Sequence, residues 1–200
     1  MVHDPLLVTR ETRLAAFEPP LSWSAIIAGA AVALATSILL TLFAAGFGYD
    51  LAMGDLASPA SLKAFTPEVG AGAVAIQVIS AGIGGYLAGR LRPGWPSAHL
   101  DEAHFRDTAQ GVIAWALATV IGLILAAALL TPYAERLAAT VAVSGPPPEL
   151  TADDAVRAGH VLAQSAFFTA LGMLVSAFIA AVAARLGGLR TEEMHEKGRA

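Results

Sequence analysis

Residues 108–134 read TAQGVIAWALATVIGLILAAALLTPYA, without a single Asp, Glu, Lys or Arg. A helix needs roughly 20 apolar residues to cross about 30 Å of hydrocarbon, and this run is longer. A helix in a soluble core seldom stays uncharged so long, because one face meets water. Three more runs share the property: Pro19–Tyr49, Val69–Gly89 and Ala158–Ala184. Together they predict an all-α, polytopic membrane protein: a bundle of four transmembrane helices.

Composition agrees. Apolar residues make up 56% of the 200-residue chain and charged residues 14%. A soluble domain carries about a quarter charged residues. No cysteine is present, which excludes disulfides, thiolate metal sites and thiol nucleophiles. The net charge of −4 gives no reason to expect a nucleic-acid partner, and the lipid bilayer is the first partner implied. Residues 1–20 contain Asp4, Glu11 and Glu18 and no apolar stretch. They do not read as a secretory signal peptide, so the first helix is expected to act as an uncleaved anchor. No lipidation motif is present.

Local signals set the expected boundaries. Helix 1 spans about 22–48, with Ser22 as cap after Pro19-Pro20. Helix 2 spans about 66–91. It opens with Thr66-Pro67-Glu68, a cap, a proline at the first helical position and an acid in the first turn. Helix 3 spans about 108–133, with first turns that could begin near Asp101. Helix 4 opens at Thr151-Ala-Asp-Asp, like a capping box, and spans about 152–186, with Gly187-Gly188 expected to end it. The domain layout is then an N-terminal segment (1–21), a membrane domain (22–189) and a frayed polar tail (190–200).

Lys and Arg counts orient the bundle. With the N-terminus inside, inner segments hold Arg10, Arg13, Arg90, Arg92, Arg106, Arg185, Arg190, Lys197 and Arg199. Outer loops hold only Lys63, Arg136 and Arg157. Both termini are expected on the cytoplasmic side of the membrane. Trp23, Tyr86, Trp95 and Trp115 would lie near the inner interface, and Tyr49 and Tyr133 near the outer one. The longest connection carries Pro146-Pro147-Pro148, a stiff and extended element.

Two hairpins look related. Ala33-Leu-Ala-Thr36 recurs as Ala116-Leu-Ala-Thr119, and Ala88-Gly-Arg-Leu91 resembles Ala183-Ala-Arg-Leu186. This suggests a parallel repeat of a two-helix unit; chance identity in alanine-rich helices is the alternative.

Small residues line one face of helix 2 at Ala71, Ala75, Gly82, Gly85 and Gly89. Helix 4 answers with Ala177, Ala181 and Ala184. Lipid offers no hydrophobic drive for helix association, so close backbone packing takes its place. These positions are expected to pack the bundle, or to join it to a second copy or another membrane subunit. Helix 2 holds more glycine than one such face requires.

No Asp, Glu, Lys, Arg or His lies mid-span, which disfavours ion-coupled transport. The strongest polar groups are Gln77 and Gln164, followed by Thr36, Ser80, Thr119, Thr169 and Ser176. They could line a pore, or make interhelical hydrogen bonds worth about 0.6–2 kcal/mol each. The inner loop carries one polar cluster: His99, Asp101, Glu102, His104, Arg106 and Asp107. It matches no specific metal motif. Asp101 and Glu102 suit a helix start, and Asp107 could pair with Arg90 or Arg92; metal binding and partner docking are the alternatives. No cofactor and no catalytic residue is expected.

Three stretches carry a resemblance: Ser22-Trp-Ser-Ala-Ile-Ile-Ala-Gly29, Gly85-Tyr-Leu-Ala-Gly-Arg-Leu-Arg92, and Ala103-His-Phe-Arg-Asp-Thr-Ala-Gln-Gly-Val-Ile-Ala-Trp-Ala-Leu-Ala-Thr119. In these the chain resembles a group of bacterial four-helix integral membrane proteins, some labelled PhnA-like. The resemblance implies a membrane bundle and no particular activity; nothing here supports phosphonate chemistry. The expected function is that of a non-catalytic membrane protein: a scaffold, assembly or accessory subunit of a membrane complex. The alternative is an oligomeric pore or facilitator for ions or small solutes.

Overall fold

A computed structural model describes residues 21–52, 67–93, 100–143 and 152–197. The described residues form four helices and no strand: α1 (Trp23–Ala52), α2 (Pro67–Arg90), α3 (Leu100–Val143) and α4 (Ala152–Lys197). Each is long and apolar enough to cross a membrane. The expected all-α four-helix bundle is therefore the fold observed, and it reads as a multi-pass membrane protein.

Two helices run further than expected. α3 begins at Leu100, with Asp101 and Glu102 in the first turn opposing the helix dipole. It continues past Tyr133 to Val143, with Pro132 inside it. Proline removes a single intrahelical hydrogen bond, a loss that helices of this kind tolerate. Just before it, the Thr131 hydroxyl donates to Ala127 O at 2.8 Å. α4 does not stop at Gly187-Gly188 but runs to Lys197, so residues 190–197 are not a frayed tail. These two glycines serve packing. A Cβ at Gly187 would collide with the backbone of Tyr86 and Arg90, and one at Gly188 with the Asp107 carboxylate. One turn on, the Thr191 hydroxyl donates to Arg90 O at 3.0 Å. These contacts offset the helix cost of glycine, about 1 kcal/mol per residue relative to alanine.

α2 touches all three other helices, and its contact with α4 is the most extensive. α1 and α4 do not meet among the described residues. The α2–α4 pair is parallel, and its backbones almost touch. A Cβ built on Gly85 would lie 2.8 Å from Ala180 Cα, and one on Gly89 would lie 2.9 Å from Ala184 Cα. Only glycine fits at either position. Gly82 is looser: a Cβ there would lie 3.3 Å from Ile179 Cγ2.

A second small-residue face of α2 receives α1. Gly29 nests against Gly84 O and Ala88, and Gly84 against Ala33. The second hairpin repeats this arrangement: Gly111 of α3 nests against Ala180 and Ala184 of α4. The repeat is imperfect, because α2 also contacts α3 whereas its counterpart α4 does not contact α1. Between α1 and α3 the core is alanine: Ala30 and Ala33 against Ala118, with Ile26 and Ala114 one turn away.

For α1 and α3 this close packing is confined to the half of the bundle nearer Arg90. In the other half, α1 is exposed on every side over residues 41–47, and α3 over 123–129. Seven consecutive residues make almost two turns, so neither helix has a covered face there. α2 and α4 stay paired, with Gly70 against the Phe168 ring. α1 and α3 thus diverge from an α2–α4 spine.

Gly89→Val should destabilise the bundle by about 1–3 kcal/mol through overpacking. Gly72→Val should be neutral or slightly stabilising, since a Cβ there meets nothing within 4 Å. Reversible unfolding in mixed detergent micelles measures both, and equal effects would refute the packing assignment.

Candidate functional site

At the arginine-rich end, three chain segments meet over a buried charge. Arg92 follows the last turn of α2, and its side chain is 0% exposed; that of Asp107 on α3 is 1% exposed. Arg92 Nε and Nη2 grip the two Asp107 oxygens, the latter at 2.9 Å. Arg92 Nη2 also donates to Glu192 Oε1 of α4 at 2.9 Å, and Nη1 to Pro93 O at 3.2 Å. The planar guanidinium suits this bidentate geometry. One arginine therefore ties the end of α2 to α3 and α4. Alongside it, Arg90 donates to Thr191 Oγ1 at 3.4 Å.

The rest of the inner-loop cluster does not converge on a single site. Glu102 pairs with Arg106 one turn on, at the surface. Asp101 is exposed and His104 half-buried. His99 lies outside the described residues. Among the described residues, no three His, Asp or Glu side chains come together as metal ligands. Of the two pairings open to Asp107, the structure has the one with Arg92.

The second polar feature is a cavity of about 300 Å³ inside the bundle, lined by all four helices. α2 supplies Gln77, Ser80, Ala81, Gly84 and Gly85. α3 supplies Trp115 and Thr119, α4 supplies Thr169, Met173 and Ser176, and α1 supplies Leu34 and Ser37. Its deep end is closed: Ala33, Ser80, Ala81, Ala114 and Ser176 are buried. Its other end faces the divergent half, where Leu123 and Thr169 are exposed. At the closed end, Trp115 Nε1 donates to Ser176 Oγ at 2.9 Å, and Ser176 Oγ donates to Met173 O at 3.1 Å. Trp115 is thus a core hydrogen-bonding residue rather than an interfacial one. Gln77 Oε1 is pressed against Gly172. Neither that oxygen nor Ser80 Oγ has a hydrogen-bond partner, although both are covered.

The two glutamines part company here. Gln77 lines the cavity, while Gln164 is exposed on α4. Ser80, Thr119, Thr169 and Ser176 line it too, and Thr36 does not. The expected packing residues also divide. Gly82, Gly85, Gly89 and Ala184 lie in the α2–α4 contact, Ala177 and Ala181 are half-buried, and Ala71 and Ala75 are exposed. Gln110 had no forecast role. It is fully buried one turn from Asp107, with both amide atoms unpartnered. Its place before Gly111 on a charge-free run was the available signal.

Comparison with known protein families, curated proteins and solved structures finds no match.

Asp107→Ala should cost about 3–5 kcal/mol, because it strands a buried guanidinium. The double change Arg92→Met with Asp107→Leu should recover most of that loss. Glu192→Ala should cost less than about 1 kcal/mol, since Glu192 is 32% exposed. Chemical unfolding of the four proteins checks the order.

Proposed function

We propose that this chain is a non-catalytic membrane subunit, a scaffold, assembly or accessory component that acts by helix–helix association. One observation carries the reading. In the divergent half, small residues that would let another helix approach have no neighbour among the described residues. A Cβ on Gly46 of α1 or Gly72 of α2 meets nothing within 4 Å, and Ala71 and Ala75 are exposed beside Gly72. In lipid, small residues favour helix contact by permitting close backbone approach. Large apolar side chains flank them, among them Leu42, Phe43 and Phe47. The partner is a second copy or a different membrane subunit. The buried Arg92–Asp107 pair serves to hold the bundle rigid while it presents this surface.

We propose also that both termini are cytoplasmic, as the Lys and Arg bias favours, and that the membrane is a bacterial inner membrane, as the resemblance implies.

Native mass spectrometry of the tagged protein in nanodiscs should find a stoichiometric partner, a foreign subunit or a second copy. Gly46→Leu and Gly72→Leu should each release it without lowering monomer stability. Recovery of a lone wild-type monomer would overturn the proposal. The chain lacks cysteine, so single-cysteine variants need no cleared background. In intact cells an impermeant thiol reagent should label Ser144→Cys, and should label Ser97→Cys only after permeabilisation.

A further inference from the structure

The central cavity combines three properties that together select a ligand. First, its walls carry no ionisable side chain. An ion moved there would lose its hydration shell without compensation, so the occupant is uncharged. Second, the walls are mainly Ala, Leu, Met and Gly, with hydroxyls and one carboxamide at fixed points. Gln77 makes no hydrogen bond among the described residues. Its oxygen is turned onto Gly172, which leaves the amide nitrogen, on the opposite side of the group, as a donor toward the open space. Ser80 lies one turn deeper on the same face, but its hydroxyl is covered, so the Gln77 amide nitrogen is the donor that an occupant meets. An unpaired amide N–H at this depth is costly, and an occupant bearing an acceptor oxygen satisfies it. Third, the cavity closes toward the arginine end and opens where α1 and α3 diverge. Its mouth is flanked by Leu123, 58% exposed. That is an approach from hydrocarbon rather than from water.

We infer that the bundle binds an uncharged, lipid-soluble molecule whose single carbonyl-type oxygen accepts a hydrogen bond from the Gln77 amide nitrogen. Its apolar chain leaves between α1 and α3. The volume, about 300 Å³, is at the lower end of small-molecule pockets, enough for a headgroup and the start of a chain. From Gln77 to Gly85 the α2 wall is roughly 12 Å deep, at about 1.5 Å rise per residue. The inference is independent of the subunit reading, because the cavity lies inside one chain.

Trp115 lines the cavity and reports on occupancy. With Trp23→Phe and Trp95→Phe, it is the sole tryptophan of the three. The probes are a brominated long-chain ketone and a brominated alkane of equal length, added to nanodiscs of unbrominated phospholipid. Quenching by the ketone should saturate at low mole fraction, and quenching by the alkane should rise linearly with its partitioning. Gln77→Leu should weaken the ketone's apparent affinity by roughly tenfold, the loss expected for one buried hydrogen bond. Gln164→Leu, off the cavity, should leave it unchanged. Linear quenching by both probes would overturn the inference, leaving a crevice filled by water or bulk lipid. So would saturable quenching indifferent to the ketone oxygen. Both of these readings come from the unaltered cavity and do not depend on any cavity variant folding.

Discussion

The bundle depends on the distance at which the α2 and α4 backbones pass. Within hydrocarbon nothing is gained by hiding one apolar side chain from another, so helices adhere through contact density and close approach. Gly85 and Gly89 remove the side chains that would hold α4 off, and Ala180 and Ala184 present backbone in their place. The consequences spread from there. The adjoining Gly84 then faces α1, and Gly111 of α3 settles onto the same two alanines. Each of the other helices is positioned by a glycine against this spine.

The two ends of the bundle use polarity differently. At the arginine end, charge is removed from water and satisfied inside the chain by Arg92, Asp107 and Glu192. Such a network favours one arrangement of the three segments, because any other strands an ion. Toward the middle, polar groups are left incompletely satisfied at Gln77 and Ser80. A bundle selected only for stability would fill such positions with alanine or leucine. Among the described residues the opposite end has neither device, and α1 and α3 diverge there from the α2–α4 pair.

Much of this architecture was legible in the residues. Four charge-free runs are enough to place four helices, because water must be excluded over that whole length. The surplus glycine of α2 suggested contact with a second copy or another subunit; part of it, at Gly84 beside Ala88, instead receives α1. Helix ends were less legible. Gly187-Gly188 reads as a stop signal when taken locally, and the same two residues are what close approach requires. Which meaning applies depends on Tyr86, Arg90 and Asp107, all distant in sequence. The cavity was only partly legible for a related reason. Helices that are apolar all round carry no stripe to say which way a polar residue points. Gln77 and Gln164 were therefore equivalent as letters, and only packing placed one inside and the other outside. The ion pair was half visible, since charge and proximity nominated Asp107 but not which arginine it takes.

The order of the α2–α4 contact along the chain has a consequence for biogenesis. α1 and α2 are neighbours in sequence, so their glycine contact needs no later helix. The opposite flank of α2, with Gly85 and Gly89, has its partner in the last helix to be made. Until α4 enters the bilayer, that groove stands open and Arg92 lacks Glu192. The half-made protein is therefore a three-helix intermediate with a glycine groove able to accept a foreign helix. α4 completes the bundle and, by occupying the groove, ends that exposure.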